Sequence, residues 1–192
     1  MSTGRLEAFS DCVLSIIITI MVLNLKVPAG MSLADLRPVL PTVLSYLLSF
    51  VYIGIYWTNH HHLLHAAKTV RGPILWANLH LLFWLSLTPF TTAWLGQHPL
   101  STGPVALYGV NQLMDAVGYW VLLLTLLRHE GPDSLLAKAI GHDFKGYGSL
   151  AVYALAIPAA FVQPLIAIAC YVLVALVWLI PDRRIERALK AI

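Results

Sequence analysis

The chain has 192 residues, of which 59% are hydrophobic and only 11% charged, with a mean hydropathy of +0.77. A soluble domain carries about a quarter charged residues, so a water-soluble globular fold is excluded. The apolar residues come in blocks of membrane-spanning length, the mark of a polytopic membrane protein. The net charge of +3 does not indicate a nucleic-acid partner, because the basic residues follow a topological pattern and form no patch.

Six spans are read in chain order. The first, about 8–27, is closed by Pro28 and Gly30. The second is about 36–58 and the third about 73–95, followed by the turn "GQHPLSTGP". The fourth is about 105–127, the fifth, short, about 147–162, and the sixth about 164–180, stopped by Pro181. Pro38, Pro41, Pro89 and Pro158 fall inside or near the ends of spans, which membrane helices tolerate. The polar stretch "RHEGPDSLLAKAIGHDFKG" is a connector, part of it read as a helix on the membrane surface. No cleavable signal is read, because Glu7 and Asp11 precede the first apolar run and no small-x-small site follows it. Cys12 and Cys170 lie in apolar runs and are expected as buried thiols rather than a disulfide framework.

With the N-terminus inside, the inner segments hold Arg5, Lys68, Arg71, Arg128, Lys138, Lys145, Arg183, Arg184, Arg187 and Lys190. The outer segments hold only Lys26 and Arg37. This asymmetry places both termini in the cytoplasm of a multi-pass cell-membrane protein. The expected fold is therefore all-α, a single six-helix domain spanning residues 1–192 with no re-entrant pore loop.

On a wheel of 100° per residue, Arg5, Phe9, Cys12, Ile16, Ile20, Leu23 and Val27 fall within about 40° of Ile16. Thr19 flanks this stripe, while Asp11 and Glu7 lie about 140° or more away. An aliphatic stripe on a membrane helix can face lipid or another helix. Where several copies surround an axis it is instead a hydrophobic constriction that gates by dewetting. The wheel leaves both open.

The segment "RLEAFSD" carries Arg5, Phe9, Ser10 and Asp11 in an Arg-x-x-x-Phe-Ser-Asp pattern, and "SIIITIMVLNLKVP" continues it. With "YWTNHHHLLH" and "NLHLLFWLSLTPFTT", the first hundred or so residues resemble the transmembrane protein 175 family of potassium channels. The resemblance implies a homotetramer in the lipid bilayer that conducts potassium ions passively, without a cofactor or enzymatic activity. It implies a pore lined by the first helix, with constriction rings at Ile16, Ile20 and Leu23 and a potassium contact at Thr19. Ile16 to Leu23 would span about 10 Å of pore axis.

Ser10, Asp11, Trp57, His61 and Asn78 lie at one depth and offer complementary donors and acceptors, so a hydrogen-bond network among them is expected. Three other patterns carry competing chemistry. "GYG" at 146–148 is similar to a carbonyl filter, but it follows Lys145 at a helix start and lacks a preceding pore helix. His61 and His65 have metal-gripping i,i+4 spacing, but a membrane metal oxygenase needs several such boxes and no metal site is expected. Asp115 with Asn111 and Gln112 is the alternative: a polar site of a secondary ion or small-solute transporter. The bland counterpart places these three near the outer end, pairing between helices.

Overall fold

The structure is a computed structural model that describes residues 2–67, 69–140 and 143–179. Lys68, His142, Ile180, Pro181 and the basic residues Arg183, Arg184, Arg187 and Lys190 lie outside the described residues. The described residues form helices and contain no strand.

Helix α1 runs Thr3–Val22. Its start is earlier than hydropathy suggested, because Thr3–Glu7 is helical despite its polar residues. Its end is also earlier: tight turns close with Leu23 N–H on Ile20 O and Leu25 N–H on Val22 O. Val27 therefore lies beyond the helix, and its wheel position does not apply. A 3₁₀ segment, Leu33–Val39, follows, opened by a reciprocal cap. Ser32 accepts from the Ala34 N–H while Asp35 accepts from the Ser32 N–H.

Helix α2, Leu40–His65, is longer than its apolar run and carries the histidines in its last turns rather than in a connector. The third apolar run divides into α3, Gly72–Ser86, and α4, Thr88–Gln97. Leu87 is the joint, because Pro89 lacks an N–H and its ring crowds the carbonyl four residues earlier. Helix α5, Thr102–Glu130, ends at Gly131, whose φ of 86° suits glycine. A short helix α6, Leu135–Ile140, breaks the connector. Helix α7, Phe144–Val162, is capped by Asp143, which accepts from the Gly146 N–H at 3.0 Å. Helix α8 begins at Pro164 and is described to Leu179.

Among the described residues four helical stretches are long and apolar enough to cross a membrane: Leu33–His65, Gly72–Gln97, Thr102–Glu130 and Phe144–Val162. Helix α8 is apolar but shorter. Helix α1 has 20 residues but carries Arg5, Glu7 and Asp11.

Two cores hold the bundle. One joins Leu14, Ile17 and Met21 of α1 to Ile53 of α2, Leu81 and Leu85 of α3 and Leu122 and Leu126 of α5. The other gathers Tyr52, Tyr108, Tyr153 and Tyr171 around Ala156, Ala160 and Ala167. The alanines let α7 and α8 approach closely, and the tyrosine hydroxyls find partners. Tyr171 donates to Val105 O at 3.2 Å and Tyr108 meets Ser49 at 3.0 Å.

Candidate functional site

Helix α1 has two opposite faces. Leu6, Ser10, Leu14, Ile17 and Met21 are buried, at the i+3/i+4 steps of one helical face. On the other side Phe9, Ile16, Ile20 and Leu23 are exposed, Ile16 at 55% and Leu23 at 79%. Arg5 is exposed at the N-terminal end of the same stripe, and Cys12 is also exposed there, against the expectation of a buried thiol. Leu23 stands at the C-cap with helical backbone angles, so it continues the stripe.

Thr19 is exposed and donates its hydroxyl hydrogen to Ile16 O at 2.9 Å. That bond satisfies the threonine's donor within the helix. The hydroxyl oxygen can then act only as an acceptor, which suits a cation rather than an anion.

The buried side of α1 is fastened by polar bonds at one depth. Trp57 Nε1 of α2 donates to Asp11 Oδ1 at 3.0 Å. Asn78 Nδ2 of α3 donates to Ser10 Oγ at 3.0 Å, and Ser10 in turn donates to Leu6 O. Asn78 Oδ1 accepts from His60 Nε2 at 2.7 Å. His61 lies one helical turn toward the N-terminus of α1, where its Nδ1 meets Glu7 Oε1 rather than Ser10 or Asp11. The sequence does not assign His60 or Glu7 to this network. Three consecutive histidines point about 100° apart, so one of them must turn inward, but the sequence does not say which.

The other chemistry-bearing patterns are placed as follows. Gly146, Tyr147 and Gly148 sit in the first turns of α7, with Tyr147 exposed and edge-on to Trp120. His61 and His65 stack with ring centroids 5.9 Å apart. Among the described residues no group of three or more His, Cys, Asp or Glu side chains could hold a metal ion. Asp115 is fully buried near the middle of α5, not near either of its ends. Its Oδ2 accepts from Asn111 Nδ2 at 2.9 Å, and Thr91 of α4 donates to Asn111 Oδ1 at 3.0 Å.

The family model described as endosomal/lysosomal potassium channel TMEM175 matches residues 5–89, which run from Arg5 of α1 to the α3–α4 joint. A protein of Chryseobacterium sp. (strain P1-3), called a potassium channel, is 57% identical over 190 residues, 99% of each chain. The chain belongs to the TMEM175 family. A second relative called a potassium channel, from Streptomyces collinus, is 32% identical over 187 residues, about nine-tenths of each chain (91% and 90%). The crystal structure of a lysosomal potassium-selective channel TMEM175 homolog from Chamaesiphon minutus is similar in fold, with a TM-score of 0.77 at 26% identity. That likeness covers 94% of this chain and 97% of the other. The matched residues 5–89 contain the α1 stripe and every residue of the Ser10–Asp11 network. Asp115 lies outside them.

Proposed function

We propose that this TMEM175-family chain is the protomer of a potassium channel, a homotetramer whose pore is lined by α1. The observation that carries the reading is the fixed, outward aliphatic stripe of α1. Its opposite face is buried in the protomer, and hydrogen bonds to α2 and α3 hold its rotation. Ile16, Ile20 and Leu23 form stacked apolar rings, and Thr19 supplies the oxygen nearest the ion. The names of the relatives, potassium channels over nearly their whole length, support the ion.

In this reading the protomer is one six-span domain, with α1, α2, α3–α4, α5, α7 and α8 crossing the cell membrane. Both termini face the cytoplasm, in line with the excess of Lys and Arg on that side. The three ionisable residues of α1 sit at its inner end, where water and partner side chains reach them. No cofactor takes part, and the chain is not an enzyme.

A ring of isoleucines offers no oxygen to replace lost hydration. It passes the ion that gives up water more readily, which is potassium rather than sodium, and the Thr19 hydroxyls compensate part of the loss. The test is potassium flux from liposomes carrying the purified protein. Ile16→Asn is expected to raise conductance and lower the K/Na ratio. An Ile16→Asn protein with both quantities unchanged would remove Ile16 from the constriction. Unitary currents separate this reading from a transporter, which gives saturating flux without them.

A further inference from the structure

Most of the buried polar atoms without a partner, among the described residues, fall within adjacent turns of α4 and α5. Among the described residues five such side-chain atoms occur, and three belong to Asp115 Oδ1, Gln112 Nε2 and Thr88 Oγ1. All three residues are at most 1% exposed. Asp115 and Gln112 are one helical turn apart on α5. Thr88 opens α4, which runs antiparallel to α5, with Thr91 bonded to Asn111. Thr88 precedes Thr91 by a turn and Asp115 follows Asn111 by a turn, so the two stand at the same level. Tyr56 of α2 is within electrostatic reach of Asp115.

We propose that Asp115, Gln112 and Thr88, with Tyr56, form a binding site for one small monovalent metal cation inside the protomer. A carboxyl at mid-bundle depth is neutralised either by its own proton or by a bound cation. Among the described residues the only side-chain hydrogen bond to Asp115 comes from the neutral Asn111 amide, and Tyr56 and Tyr108, which lie within its electrostatic reach, are phenols. One carboxylate matches one unit of positive charge, and a divalent ion would leave an excess. The donors are hard oxygens: carboxylate, hydroxyl and phenol. The Gln112 amide, which also lies against the Tyr52 hydroxyl, adds its oxygen by a half-turn about its last bond.

A cavity of about 50 Å³ lies between α2, α5 and α7, lined by Tyr52, Tyr56 and Asn59 of α2, Tyr153 of α7, and Asp143 and Gly146 at the start of α7; Asp115, Gln112 and Thr88 do not line it. Tyr56 is common to the cavity and the Asp115 cluster. This site is distinct from the α1 stripe and does not depend on where the pore runs.

The experiment measures the unfolding temperature of the full chain in detergent, in potassium, sodium or choline chloride at one ionic strength. Wild type should unfold about 3 °C or more higher in one alkali salt than in choline when that ion is at ten times its Kd. Thr19→Ala, which alters the stripe alone, should keep the difference. Asp115→Asn and Thr88→Val should abolish it, and Thr88→Val carries the test if Asp115→Asn does not fold. The proposal is overturned if wild type shows no cation-specific difference, as for a site holding only water or a proton. It is equally overturned if the difference survives in the folded site variants, or disappears in Thr19→Ala, which would assign it to the stripe. Potassium flux through Ile16 variants is read separately, so failure here leaves the pore reading standing.

Discussion

Trp57 Nε1 donates to Asp11 Oδ1 at 3.0 Å, and the residue before Asp11, Ser10, accepts from Asn78 at 3.0 Å. Adjacent residues on a helix point about 100° apart. The two bonds therefore hold α1 from two directions, toward α2 and toward α3, and fix its rotation as well as its tilt. The rotation decides what the stripe meets: a slip of one residue would turn Ile16 about 100° from its present direction.

Asp11→Ala should lower the yield of assembled protein before it alters ion selectivity. It removes a charged acceptor at a half-exposed position, an interaction worth at most about 1.5 kcal/mol after solvent screening. Size-exclusion profiles and unfolding temperature should both fall, and Asp11→Asn, which keeps an acceptor oxygen, should recover much of the loss. A well-assembled Asp11→Ala channel with a changed K/Na ratio contradicts the fastening role.

Asn78→Leu should cost more. Asn78 is fully buried and works in both directions, donating to Ser10 and accepting from His60. The leucine leaves the His60 Nε2 hydrogen buried without an acceptor, a penalty of about 1–3 kcal/mol. Thermal unfolding should show it, with flux per amount of folded protein unchanged. Asn78→Asp, which accepts from His60 but cannot donate to Ser10, should fall between the two.

How far these features are legible in the sequence differs from residue to residue. The two faces of α1 follow from 3.6-residue periodicity, because Leu6, Leu14, Ile17 and Met21 alternate with Phe9, Ile16 and Ile20 at helical steps. The ends of α1 do not follow, since hydropathy counts Leu25 and Val27 as membrane residues and discounts the charged first turns. Matching depths brought Trp57, His61 and Asn78 together with Ser10 and Asp11. It could not resolve one turn of helix, which is the offset that puts His61 on Glu7. Asp115 was visible as a mid-span acid, yet its level relative to Thr88 needs the joint at Leu87, set by Pro89 and by how α4 leans on α5. The sequence carries face and chemistry locally, and relative depth comes only from packing.

Two glycines separate close packing from helix propensity. A Cβ on Gly96 would lie 2.7 Å from Thr42 Cα, a backbone atom that cannot swing aside. Gly96→Ala should push α4 off the start of α2 and cost about 1–3 kcal/mol, read as a lower unfolding temperature. Gly148 has open space where its Cβ would stand. Gly148→Ala should be neutral or stabilise by up to about 1 kcal/mol through helix propensity. Equal losses in the two variants would contradict the packing assigned to Gly96.

Thr19 offers the sharpest test of ion contact on the stripe. Its hydroxyl hydrogen is held by Ile16 O at 2.9 Å, so its oxygen is oriented before any ion arrives. Thr19→Val keeps the shape and removes the oxygen. If each ion gains about 1 kcal/mol more from these oxygens when it is potassium than when it is sodium, the K/Na permeability ratio should fall about five-fold. Thr19→Ser restores the oxygen and the same i−3 bond, and the ratio should return toward wild type. Bi-ionic reversal potentials in planar bilayers measure it directly. The backbone carbonyls of α1 are engaged in the helix and cannot replace the lost group. An unchanged ratio in Thr19→Val would therefore leave dehydration at the Ile16 and Ile20 rings as the whole source of selectivity.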